Sequence, residues 1–170
     1  MNVIVGFSRP NSFKLYGLLI EKIDNAPFDH AYMRVSMSKI DRELIFQSIA
    51  VGVQIVSEKQ FRSISTPVEE YAIDITDEQF INLIRFCIDN AGKPYGILDV
   101  IGLGIAKILQ KLGLKAKNPF NQGNKNAFCS QLIAEALKNI DPKDFNIDSN
   151  NISPRNLRDL LVQLKIKRVL

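Results

Sequence analysis

Phe128-Cys129-Ser130-Gln131-Leu132-Ile133 places a cysteine where a helix begins, just behind a polar stretch rich in Asn and Gly at residues 121–126. Apolar residues then recur at Leu132, Ile133, Ala136 and Leu137, the spacing of one helical face. A cysteine at such a start faces the positive end of the helix dipole and free backbone N–H groups, which favour the thiolate. The stretch therefore predicts a nucleophile helix at about 129–139, and the rest of the chain is read for a base to serve it.

Working outward, the chain has 170 residues, which fits one domain. Hydrophobic residues make up 46% and charged residues 24%, a folded rather than a disordered composition. The net charge of +4 is small and scattered, so it does not argue for a nucleic-acid partner. The two cysteines, Cys87 and Cys129, form no disulfide framework, and with a single His the chain lacks the usual ligands of a zinc site. No cofactor or metal is expected. No signal peptide is visible, because Val3-Ile4-Val5 is too short for its apolar core, and no apolar run reaches the length of a membrane span. Synthesis in the cytoplasm is the expectation, with the place of action left open.

In chain order, the pattern predicts a strand over 1–7 broken by Ser8-Arg9-Pro10, then an amphipathic helix over 12–24. A hairpin follows, His30 to Met37 returning as Glu43 to Ile49, with a third strand at Val53 to Val56 and a short helix or loop at Lys59 to Ser63. A further strand occupies the second half of Val68 to Ile75. Thr76-Asp77-Glu78-Gln79 is a capping box, and its helix turns Phe80, Leu83, Ile84, Cys87 and Ile88 inward. Ser153-Pro154 starts a last helix to about 163, and Lys165 to Leu170 offers a final edge strand. The fold class is α+β, an antiparallel sheet against helices, in one domain over 1–170, with residues 97–118 read as a helical segment.

A thiol nucleophile needs a general base and a group to orient it. His30 is the one histidine in the chain. A hairpin turning between Ser38 and Lys39 puts His30 opposite Gln47, whose side chain would accept the imidazole N–H; a two-residue slip would put Ile45 or Ile49 there instead. Ser130 is a second hydroxyl candidate, but the neighbouring thiol is the better nucleophile near neutral pH. Cys87 sits on the apolar face of its helix and reads as core. Lys107, Lys111, Lys115 and Lys117 give segment 97–118 a basic amphipathic character, which suits either a core helix with a solvated face or contact with a membrane surface.

These residues carry a family resemblance. His30-Ala31-Tyr32-Met33-Arg34-Val35, Leu44-Ile45-Phe46-Gln47-Ser48 and Gly52-Val53 resemble the paired strands of the papain-like NlpC-type superfamily. Gly92-Lys93-Pro94-Tyr95 resembles its Gly-x-Pro-Tyr segment, Phe128-Cys129-Ser130 its Cys-Ser step, and Ile152-Ser153-Pro154-Arg155-Asn156-Leu157 its terminal segment. The order His, polar residue, Tyr, Cys is that of a circularly permuted member, as in the YiiX-like and lecithin:retinol acyltransferase groups. The chain departs from the pattern in its Gln, in Ala31-Tyr32 where Val-Gly is frequent, and in the 33 residues between Tyr95 and Cys129.

The resemblance implies a papain-like fold and a thiol hydrolase. Its catalytic residues would be Cys129, His30, Gln47 and Tyr95. The substrate would be a peptide amide, including those of bacterial cell walls, or an acyl lipid cleaved or transferred. A non-catalytic structural or binding protein that keeps the fold, such as a virion or envelope component, is the third expectation.

Overall fold

The computed structural model describes residues 1–11, 25–95, 102, 105–106, 109–110, 112–116 and 128–170. The helix expected over 12–24 and the Asn- and Gly-rich stretch at 121–126 lie outside the described residues, as does most of the segment at 97–118. The elements are β1 (Asn2–Pro10), β2 (His30–Met37), β3 (Arg42–Ile49), β4 (Gly52–Ser57), α1 (Glu58–Ile64), β5 (Ser65–Asp74), α2 (Asp77–Asn90), α3 (Cys129–Ile140), α4 (Pro154–Gln163) and β6 (Lys167–Arg168). The strands form one six-stranded sheet in the order β4-β3-β2-β1-β5-β6, with every neighbouring pair antiparallel. This is the α+β arrangement of sheet and helices that the pattern predicts.

Period-two alternation sorts the strand residues between two layers. Val3, Val5, Phe7, Ala31, Met33, Val35 and Phe46 join Leu132, Ile133, Ala136 and Leu137 of α3 and Leu83 and Cys87 of α2 in the main core. Tyr32 and Ile45 face the other way, into a smaller cluster with Phe61 of α1. Local chemistry fixes the helix starts. Ser57, Thr76 and Ser153 cap α1, α2 and α4 through their hydroxyls, and the Thr76/Gln79 capping box is complete in both directions.

Four expectations need correction. β1 runs through Ser8-Arg9 to Pro10, because a bulge between Phe7 and Ser8 re-aims the strand and Pro10 can close its end. β5 begins at Ser65, earlier than its imperfect alternation suggests, since Pro67 sits beyond that same bulge. Ile88 points outward, 61% exposed, one position round from buried Cys87. The β2–β3 register is also shifted. Tyr32, not His30, stands opposite Gln47. The connection is a 3-10 turn over Ser38–Ile40 with Asp41 left-handed at φ 50°, closed by Met37 and Arg42, so the hairpin centres one residue later than expected.

One row across the sheet carries a buried polar network. Tyr32, Gly6 and Glu70 are aligned partners on β2, β1 and β5. The Tyr32 ring lies over Gly6 so closely that a Cβ there would fall inside it. That passage lets the Tyr32 hydroxyl donate to Glu70 Oε1 at 2.6 Å. Arg34 donates to Glu70 Oε2 at 2.8 Å and has Glu43 at 3.6 Å as a second partner. Burial and the Glu70 bond both push the Tyr32 hydroxyl pKa up, so it stays a donor. Gly6→Ala should therefore displace the ring and cost about 1–3 kcal/mol of stability, read from the denaturation midpoint at unchanged slope.

Candidate active site

Three separate parts of the chain meet at the end of the sheet where β2 begins. Cys129 and His30 line a cavity of about 60 Å³ together with Tyr95, Asp29, Ser48 and Ser65. Pro10, Ile49, Ala50 and Ile64 complete its described wall. A space of this size takes a few waters or the reacting end of a ligand rather than a whole one.

α3 brings the cysteine. Its N-cap is Phe128, which supplies no side-chain cap, so the first-turn N–H groups are left to other acceptors. The helix head is pinned from outside. Ser130 is fully buried, and its hydroxyl donates to the Ile152 carbonyl at 2.8 Å. Gln131 donates to Asn150 and Glu135. Ser130 is thus a fastening to the segment that leads into α4, which accounts for it without a nucleophile's role.

β2 brings the base. His30 is half-buried, and its Nε2 lies 3.0 Å from Gln47 Oε1. A carboxamide oxygen only accepts, so Nε2 carries the hydrogen and Nδ1 is the nitrogen able to take a proton. The contact survives the register shift because it is diagonal: Gln47 is aligned with Tyr32, two residues along, and such neighbours on one face remain within reach of long side chains. Gln47 is 1% exposed and its Nε2 has no hydrogen-bond partner, so the His30 contact accounts for its one satisfied end.

Tyr95 arrives by a bridge to the sheet edge. Gly92 N–H donates to the Val53 carbonyl at 2.9 Å, and Val53 N–H donates to the Lys93 carbonyl at 2.8 Å. Gly52, at φ 113°, leaves room for that carbonyl, which would lie 2.6 Å from any Cβ there. Gly52-Val53 thus holds the segment carrying Tyr95.

The state of the thiol differs from the expectation at the helix start. Burial pushes the Cys129 pKa up to about 11, and the charge of Asp29 adds to the rise. The N–H groups of Ala31, Ser130 and Cys129 itself pull the other way and are outweighed. Cys129 is 3% exposed, and desolvation of the charged form wins over the helix dipole. At neutral pH it rests as a thiol. Cys87, in the core, is pushed higher still, to about 12, by burial alone. Alkylation of unfolding-free samples between pH 7 and 11 should show Cys129 reactivity still climbing past pH 9, with no plateau near neutrality. Because an ordinary thiol sits near 9 in the unfolded chain, both groups also lower stability as pH rises from about 9 toward 11–12, where only the unfolded state has released its protons.

Sequence reading names Cys129, His30, Gln47 and Tyr95, and the fold brings the first two and Tyr95 to one cavity with Gln47 behind His30. It misses Asp29, Ser48 and Ser65 as wall residues. Asp29 and Ser48 adjoin named residues and were within reach of that signal; Ser65 comes from the α1–β5 corner, which has no local mark. Among the described residues, no group of three or more His, Cys, Asp or Glu side chains is placed to hold a metal ion. No helix among them is long and apolar enough to cross a membrane.

No protein-family model matches the chain, and no curated protein matches its sequence. The crystal structure of the metalloprotein YiiX from Escherichia coli O157:H7, of the DUF1105 group, is similar in fold. It superposes with a TM-score of 0.63 at 13% identity, over 99% of this chain and 94% of that one. The chain has a YiiX-like α+β fold.

Proposed function

We propose that the chain is a circularly permuted papain-like thiol hydrolase that cleaves an amide bond, with Cys129 as nucleophile and His30 as general base. The observation that carries this is the meeting of Cys129, His30 and Tyr95 at one cavity, with Gln47 Oε1 on the imidazole Nε2. The arrangement has the logic of nucleophile, base and orienter drawn from distant parts of the chain.

The mechanism starts from a neutral thiol. As a substrate carbonyl enters, His30 Nδ1 takes the Cys129 proton and Sγ attacks the carbonyl carbon. Gln47 holds the tautomer that leaves Nδ1 as acceptor. The oxygen that becomes negative is met by N–H groups at the uncapped head of α3, Cys129 N–H first among them. His30 then gives its proton to the departing amine, and water releases the acyl group from sulfur. Tyr95, which lines the same cavity, orients the substrate. YiiX is described as a metalloprotein. The described residues here supply one His and no three-donor cluster, so they do not fit a metal centre, and no step is routed through one.

An electrophilic amide-mimetic probe tests the reading by peptide mapping. The expected result is selective labelling of Cys129 over Cys87 at pH 7–8. Equal, slow labelling of both thiols would reject it in favour of a non-catalytic protein that keeps the fold.

A further inference from the structure

In an antiparallel ladder the two residues of a pair either face each other with their backbone groups or both turn away. Val53 turns away from β3: its N–H and carbonyl are bonded to Lys93 and Gly92. Its aligned partner Ser48 therefore also turns away, toward β2. One more step of the β2–β3 register would set Ser48 against Ala31 and claim the Ala31 N–H for the sheet. The ladder stops one pair short, at Tyr32 and Gln47. The N–H so released reaches the Cys129 sulfur, alongside those of Ser130 and Cys129 itself. Ala31 is fully buried, so water does not compete for this donor. Ser48, which would have taken it, lines the cavity instead.

Resting on the reading of Cys129 as nucleophile, we propose that the Ala31 backbone N–H is a catalytic group, which seats the sulfur and holds the thiolate as His30 takes the proton. A hydrogen bond to an ionised acceptor is roughly twice as strong as one to a neutral acceptor, so the donor favours the thiolate over the resting thiol. It is in place before charge develops on the sulfur, and so costs no reorganisation when it does. Base and donor then belong to adjacent residues of one strand, and whatever moves the start of β2 moves both. Pairing Ala31 with Ser48 would withdraw the donor, so the early end of the ladder is itself part of the site. The group is backbone, so any residue but proline at position 31 would still supply it.

A backbone ester tests this in the whole chain. Replacing Ala31 by lactic acid exchanges its N–H for an oxygen and keeps the methyl side chain. Alkylation by iodoacetamide, in which the thiolate displaces iodide and leaves a thioether, is followed at Cys129 by mass mapping at pH 8. Losing the donor should raise the thiol pKa by about one, which leaves about tenfold less thiolate. The more basic sulfur is the stronger nucleophile and recovers about threefold of that, so the rate should fall about threefold. The titratable side chains that share the described wall, Asp29, His30 and Tyr95, are not altered by the exchange. The same exchange at Met33, within the paired part of the ladder, weakens the sheet without touching the sulfur and should leave the Cys129 rate at the parent value. A second measurement needs no ester. The Ala31 amide proton resonance should move upfield in Cys129→Ala, where it loses its acceptor, and stay downfield in Cys129→Ser. An unchanged rate in the folded Ala31 ester, an equal fall in the Met33 ester, or an Ala31 resonance indifferent to Cys129→Ala would overturn the proposal. Failure of Cys129 to outpace Cys87 in the unmodified chain would instead reject the nucleophile on which it rests.

Discussion

His30→Ala is expected to slow amide-probe acylation of Cys129 by about 10²–10⁴-fold at pH 7, the range typical of losing a general base. The size follows from the resting thiol. With its pKa near 11, Cys129 holds almost no thiolate at neutral pH, so attack depends on a neighbour that removes the proton as the bond forms. Raising the pH should recover much of the loss, because hydroxide then does what the imidazole did. Cys87, pushed to about 12 by burial, serves as the internal reference and should not respond. Rate constants at both thiols from pH 7 to 10, in the parent chain and His30→Ala, check the prediction. A variant as fast as the parent at pH 7 would remove His30 from the mechanism.

Arg34→Met is expected to cost about 3–5 kcal/mol of folding stability, the usual penalty for leaving one partner of a buried ion pair alone. Glu70 is the partner at risk: its side chain is 7% exposed and takes Arg34 at 2.8 Å and the Tyr32 hydroxyl at 2.6 Å. Without the guanidinium, a carboxylate would remain in the layer between the sheet and α1. The double variant Arg34→Met with Glu70→Gln should regain most of the loss, because the stranded charge is gone and the amide still accepts from Tyr32. Urea denaturation of the two variants and the parent checks both statements. Arg34 lies on β2, the strand that begins with His30, so the single variant should also loosen the base.

What the sequence makes legible here is set by range. The capping box at Thr76 and the Ser153-Pro154 start are local chemistry, and α2 and α4 begin where those residues say. The strands of the hairpin are legible from alternation, and His30 and Gln47 as partners from their nearness along it. Their register was not, because it depends on Asp41 taking a left-handed conformation at the end of a 3-10 turn. The thiol's protonation was out of reach for a different reason. The helix start is visible in the sequence and argues for a thiolate, whereas the burial that overrides it is set by tertiary packing: Asp29, on the same cavity wall, stands 100 positions upstream. Asp29 shows the same limit: its residue type was plain, and its place on the cavity wall belongs to the tertiary fold.

The bridge between Gly52-Val53 and Gly92-Lys93 has a consequence for descent. Two backbone hydrogen bonds and one missing Cβ join stretches forty residues apart into a single part. A substitution at Gly52 pushes on the Lys93 carbonyl and through it on Tyr95, so neither stretch is free to drift alone. Among relatives of this chain the two should be inherited or remodelled together, and a lineage that has filled position 52 with a side chain should also have rebuilt its tyrosine segment.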